Sequence, residues 1–297
     1  MSLRLRLLNA GLRLVARPFL SRVHEPLTAR RRFALAARLF RKPPHLLRVP
    51  GLLARVTVRQ RSDDLAILYF HGGAYATGSP ETHLGLAGRI ARLTGLPVYL
   101  PAYRLAPEHP APAAFEDAVS AHAALLAKGY PPDRIVLGGD SAGGGLALAL
   151  LSHLCRSGQR PAGLFAFAPW TDLALTGESL HRNAATDVVL PAARLQEAVR
   201  LVRGDLSPDD PRISPLYAAF PDAPPVFLQV GSREILLDDS RRIASRLRAA
   251  GGRVTLQEWP DCPHVWQILD GWLPEARAAL REVAGFVLSL SPTSGGS

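Results

Sequence analysis

The stretch IVLGGDSAGGG at 135–145 constrains this chain more than any other. A short apolar run ends in glycine, and G-D-S-A-G (139–143) then leads into small helix-forming residues. This G-x-S-x-G pattern fits a strand that turns sharply into a helix with Ser141 on the bend. Such a bend asks for glycine on both flanks, because neighbouring backbone passes where a Cβ would stand. It lifts the Ser141 hydroxyl to a helix N-terminus, where the dipole favours negative charge. The N–H of Ala142 can then point at a carbonyl oxygen under attack. A Gly-rich turn that only starts a helix is the bland alternative. A phosphate-cradling loop is excluded, since the Gly-Lys-Ser/Thr ending is missing.

Around this bend, short apolar runs alternate with helical patterns. Strands are expected at 65–70, 96–100, 135–138, 164–168, 226–230 and 254–258. Helices are expected at 82–95, from 142 onward, at 239–250 with Gly251 and Gly252 closing it, and at 272–290. The alternation places the chain in the α/β class, with a mostly parallel central sheet and helices on both faces. Chemistry in such sheets sits beyond the carboxyl ends of the strands. The segments 1–55 and about 175–215 show no strand pattern and read as helical cap elements on a catalytic domain at 56–290. The Ser/Gly tail at 291–297 reads as disordered.

Charge narrows the function classes less sharply. The net charge of +10 is carried almost wholly by arginine, but no zinc-ligand spacing or aromatic-basic segment points to nucleic acid. No run approaches the roughly 18 apolar residues of a membrane span. Cys155 and Cys262 make no disulfide framework and read as buried thiols, which favours a cytoplasmic setting. Residues 3–20 mix apolar residues with arginines, and no acid occurs before Glu25. We expect a helix laid over the enzyme body. Peripheral membrane contact and a transit peptide are the other readings of this pattern.

HGGAY (71–75) follows the strand at 65–70 directly. Consecutive small residues let backbone N–H groups converge on one oxygen, as a developing oxyanion requires. Gly72, Gly73 and Ala74 are the candidate donors, and His71 is expected to hold the loop rather than react.

HGGAYATGSPETH (71–83), YRLAPEHPAPAAFED (103–117), GDSAGGG (139–145) and PWTDL (169–173) together resemble the hormone-sensitive lipase family of α/β-hydrolases, in its bacterial esterase branch. The resemblance runs over most of 56–290. It implies hydrolysis of short- to medium-chain carboxylic esters without cofactor or metal, under a cap made partly of N-terminal helices. It also implies that Tyr103, Arg104, Glu108 and Asp117 brace the core. One departure is Ala74, where the family usually has a third glycine; alanine serves there if its φ is ordinary.

Of nine histidines, His264 is the best base. It follows the strand at 254–258, near the chain's end, in the order Ser…acid…His, and imidazole titrates near working pH. The acid has several candidates after the strand at 226–230: Glu234, Asp238 and Asp239, with Asp261 further on. Aligning the family's Leu-x-Asp pattern with this stretch favours Glu234. Tyr75, Trp170 and Trp266 lie beside the motifs in sequence and are candidate pocket residues, although core packing explains aromatic residues equally well. The expected partner is a small-molecule ester and not nucleic acid. The chain is expected as a monomer or homodimer, with the strand at 254–258 near a sheet edge. An amide or lactone hydrolase with the same triad, and a non-catalytic ligand receptor on this fold, are the competing functions.

Overall fold

The computed structural model describes residues 2–22, 25–40, 42–43, 45–51, 53–58, 62 and 64–290. The tail expected to be disordered, 291–297, lies outside them. The chain opens with helical turns: α1 (Leu3–Gly11), a π-helical turn (Leu12–Ala16), α2 (Arg17–Arg22) and α3 (Pro26–Ala37). Ser2 caps α1 by accepting from the Leu5 N–H, and the Glu25 carboxylate caps α3 through Leu27 and Thr28.

Eight strands form one sheet in the order β1-β2-β4-β3-β5-β6-β7-β8. They are β1 (Leu47–Val49), β2 (Leu53–Thr57), β3 (Ala66–Phe70), β4 (Val98–Pro101), β5 (Ile135–Asp140), β6 (Gly163–Phe167), β7 (Val226–Gly231) and β8 (Val254–Trp259). From β4 through β8 neighbouring strands run parallel; β1 and β2 are antiparallel additions at one edge. The expectation that 1–55 carries no strand is therefore corrected. β1 is wholly exposed and β2, LARVT, carries an arginine, so neither shows an apolar run. β2 is held by β4 and β1 by β2, so their pairing comes from neighbours rather than from local propensity. β8 forms the opposite edge, as expected for the strand near 254–258.

Alternation along β3 explains the two covered faces. Ala66, Leu68 and Phe70 join a core with α5 (Ala113–Ala127), α6 (Ala142–Arg156) and α9 (Leu237–Ala249). Ile67 and Tyr69 point the other way, toward α4 (Leu84–Thr94) and α10 (Pro274–Ser289). Between β6 and β7 lie two further helices, α7 (Ser179–Arg182) and α8 (Ala192–Val202). Gly251, at φ +82°, ends α9 where the sequence placed its stop. The parallel strands deliver their carboxyl ends to one side of the sheet, and the functional motifs follow β3, β5, β7 and β8 there.

Candidate active site

Every residue of β5 is buried, and the chain leaves it through Ser141 at φ 52°, ψ −123°. That left-handed region is costly for a residue with a Cβ. The surroundings hold it there. The Ser141 N–H donates to the Phe167 carbonyl at 2.8 Å, and its own carbonyl accepts from Gly145 at 3.0 Å and Trp170 at 2.9 Å. With its backbone fully engaged, Ser141 presents its hydroxyl at the start of α6. The flanking glycines are sterically required: a Cβ on Gly139 would strike the backbone of Gly143, and one on Gly143 the carbonyls of Phe70 and His71.

The loop after β3 lies against this bend. Gly73 has φ +125°, and its carbonyl accepts from Ala76 at 3.0 Å and Thr77 at 2.8 Å. Ala74 and Tyr75 are both left-handed, at φ 51° and 56°. The condition of an ordinary φ at Ala74 is thus not met, because the tight turn closed on the Gly73 carbonyl forces the chain through a conformation that suits glycine. The N–H groups of Gly72, Gly73, Ala74 and Ala142 have no acceptor among the described residues. His71 sits beneath the loop, its Nδ1 2.9 Å from the Gly72 carbonyl and its ring stacked on Tyr103 at 4.3 Å. Burial drives its pKa down to about 3, so the ring is neutral. The Tyr103 hydroxyl donates to the His71 carbonyl at 2.7 Å, Arg104 pairs with Asp117, and Glu108 pairs with Arg30 of α3.

The loops after β7 and β8 pack together, and their buried contact is that of Nδ1 of His264 with Oε2 of Glu234, 2.6 Å apart. Glu234 is 1% exposed, and its Oε1 accepts from the Gly231 N–H at 2.6 Å. Burial pushes this carboxyl up in pKa, and the facing imidazole pulls it back only in part. Burial also disfavours charge on the ring, but the Glu234 carboxylate outweighs it and holds His264 above its ordinary value. The other candidate acids are engaged elsewhere. Asp238 accepts from the Ser179 N–H at 2.8 Å and meets Arg182 at 3.1 Å. Asp239 accepts from the Thr171 and Asp172 N–H groups, and burial lifts its pKa to about 7. Asp261 pairs with Arg233 at 2.5 Å.

Several residues of this site carried no motif. Asp187, in the segment after α7, accepts from the N–H groups of Val189, Leu190 and Ile235 at 2.8–2.9 Å, which pins the residue after Glu234. The Asn183 amide donates to the Glu234 carbonyl at 2.8 Å. Asp140, just before Ser141, accepts from the Tyr69 hydroxyl at 2.8 Å and faces His83 at 3.4 Å. Burial opposes its charge, yet His83 and Tyr69 hold its carboxyl below the usual range. Its place inside G-D-S-A-G was the one available signal. The aromatic candidates are enclosed: Trp170 lies under Tyr75 in the main core, and Trp266 packs with Leu5 and Trp259 below α1. All three are buried, Tyr75 at 3%, Trp170 at 1% and Trp266 at 0% exposure. A cavity of about 350 Å³ opens between α1, the 186–188 segment and the loops holding Glu234 and Pro263, with Arg6, Asn9 and Arg13 on its outer wall.

A family model for the α/β-hydrolase fold matches residues 67–268. A crystal structure of an esterase from the bacterial hormone-sensitive lipase family superposes with a TM-score of 0.91 at 37% identity, covering 98% of this chain and 99% of that one. The chain belongs to the hormone-sensitive lipase family. It is a hydrolase of the carboxylesterase class within that family's bacterial esterase branch. It is similar to an acetyl-hydrolase of Streptomyces hygroscopicus, 41% identical over 79% of either chain. It is also similar to an esterase of Acinetobacter venetianus, 38% identical over 85% of this chain and 86% of that one. Among the described residues, no helix of this hormone-sensitive lipase family member is long and apolar enough to cross a membrane.

Proposed function

We propose that this carboxylesterase hydrolyses short- to medium-chain acyl esters through a Ser141–His264–Glu234 triad and an acyl-enzyme. The observation that carries the reading is the 2.6 Å contact between Glu234 and His264, which joins residues 30 positions apart at neighbouring strand ends. The same side of the sheet holds Ser141 on its strained bend.

In this mechanism His264 takes the hydroxyl proton as Ser141 attacks the ester carbonyl. Glu234, bound to Nδ1, fixes the tautomer that leaves Nε2 free to accept that proton and steadies the charged ring that results. The unpartnered N–H groups of Gly72, Gly73 or Ala74, and of Ala142, receive the developing oxyanion. The protonated ring returns its proton to the departing alcohol. Water, deprotonated by the same ring, then splits the acyl-serine and releases the acid. No step needs a cofactor.

The helices before β1 and the segment about 175–215 act as a cap in this reading. Arg30 of α3 supports that role by donating to the carbonyls of Ala76 and Ala106, next to the candidate oxyanion loop. The decisive experiment combines Ser141→Ala with a fluorophosphonate probe. The wild type is expected to be labelled at Ser141 and to turn over p-nitrophenyl esters, while the variant does neither. Retained turnover in Ser141→Ala would overturn the assignment. A panel of esters, N-acyl amides and lactones separates the ester reading from the amide and lactone readings that share its tetrahedral intermediate.

A further inference from the structure

α1 has two apolar sides, and only one of them is used. Leu5 is fully buried with Cys262, Trp266, Leu273, Ala276 and Ala279. The Ser2 hydroxyl bonds Glu275 at 2.9 Å and the Asn9 amide bonds the Asp261 carbonyl at 2.8 Å, which fixes this side against the body. Leu3 and Leu7, four residues apart and so on one face, point outward at 71% and 60% exposure. Leu14 and Val15, in the π-helical turn, follow at 77% and 70%.

This exposure is concentrated. Of twelve exposed large apolar side chains among the described residues, eight fall between Leu3 and Leu39, so they are not the scattered single residues of an ordinary surface. The charge is as one-sided: residues 3–39 hold nine arginines and one acid, Glu25, whose carboxylate is spent capping α3. Arg6, Arg13 and Arg38 form no ion pair among the described residues, and Arg31 acts on Glu25 only at longer range. Outward leucines amid an excess of arginine match a surface that is apolar below and anionic at its rim. A second copy of this face is a poor occupant, since arginines would meet arginines.

We infer that the helices α1 to α3 dock this enzyme on an anionic lipid surface, their exposed leucines entering the headgroup boundary and their arginines meeting lipid phosphate. These helices touch both halves of the site, through Arg30 at the Ala76 carbonyl and Arg17 at the Ala184 carbonyl. Docking therefore brings the site to esters dissolved in the lipid.

The test is sedimentation of the full chain with vesicles of phosphatidylcholine alone or mixed with phosphatidylglycerol. Binding is expected to be about tenfold or more tighter to the mixed vesicles and to weaken as salt screens the charge. Leu3→Gln/Leu7→Gln/Leu14→Gln and, separately, Arg31→Gln/Arg38→Gln are expected to lower binding while hydrolysis of a soluble acetyl ester and the melting temperature stay at wild-type values. Three results would overturn the inference: no binding to either vesicle, equal binding to both, or wild-type binding by the leucine variant. A concentration-dependent dimer that the leucine substitutions abolish would also overturn it and assign the face to a second copy.

Discussion

The carboxylate of Glu234 and the imidazole of His264 share a short, buried hydrogen bond, with Oε2 2.6 Å from Nδ1. The partner oxygen, Oε1, is held by the Gly231 N–H. Neither end is free to rotate. Glu234→Gln keeps the shape but lets the amide present N–H to Nδ1, which favours the wrong tautomer. A fall in kcat of about 10³–10⁴ is expected, by analogy with other serine hydrolase triads. Asp238→Asn, which alters only contacts to Ser179, Arg182 and Arg241, is expected to change kcat by less than about fivefold. Steady-state kinetics on p-nitrophenyl butyrate checks both, and the reverse ranking would move the acid to Asp238.

The pH profile follows from the same pair. In the proposed mechanism His264 acts as a base only when neutral, and the Glu234 carboxylate, overcoming the effect of burial, raises its pKa above the ordinary value. The rising limb of kcat/KM against pH is therefore expected above the ordinary imidazole value of about 6.5. In Glu234→Gln the charge is gone while burial remains, so the limb of the residual activity is expected to move to lower pH. An unmoved limb would show that some other group sets it.

Asp239 supplies a stability prediction of the opposite kind. Burial lifts its pKa from 3.8 to about 7, although the N–H groups of Thr171 and Asp172 pull it back. A carboxyl whose folded pKa is raised binds its proton more tightly in the folded state, so its contribution to stability falls as pH climbs through that window. Asp239→Asn can still accept from both N–H groups but cannot ionise. Its melting temperature relative to wild type is expected to rise between pH 5 and about pH 7.5. A constant difference across that range would sink the idea.

At Ala74 the backbone sits at φ 51°. Glycine removes a left-handed penalty of about 1 kcal/mol, partly offset by its greater freedom when unfolded. Ala74→Gly is expected to leave activity intact and to hold or slightly raise the melting temperature. Ala74→Val, with a branched side chain on the same φ, is expected to lower both. Calorimetry beside the ester assay distinguishes the two.

Asp187 joins the segment after α7 to the acid loop through three backbone N–H groups. Hydrogen bonds to a buried charge are worth about 1.5–3 kcal/mol each in such settings. Asp187→Ala is expected to lower the melting temperature and cut kcat by roughly tenfold or more, and Asp187→Asn to restore part of both. A loss of stability with kcat unchanged would show that Glu234 keeps its position without this brace.

The bend at Ser141 and the small residues at 72–74 were readable because each has a steric reason that only certain side chains satisfy. The alternation of strand and helix was readable because each parallel strand, buried on two faces, shows as a continuous apolar run. β1 and β2 escaped because their partners, not their own residues, make them strands. Asp187 escaped because a lone aspartate in a loop has no spacing to announce it; only the fold brings it beneath Glu234. The burial of Trp170 and Trp266 was not legible either, because it depends on packing between segments distant in sequence.

The sheet order adds a consequence for heat. Ser141 leaves β5, which has strands well beyond it on either side, whereas Glu234 and His264 leave the last two strands of one edge. Sheets fray from their margins inward, where a ladder has fewer neighbours to hold it. On warming, His264 is expected to lose its station before Ser141, so that turnover falls at temperatures below the main unfolding transition; activity and circular dichroism followed together on heating check this.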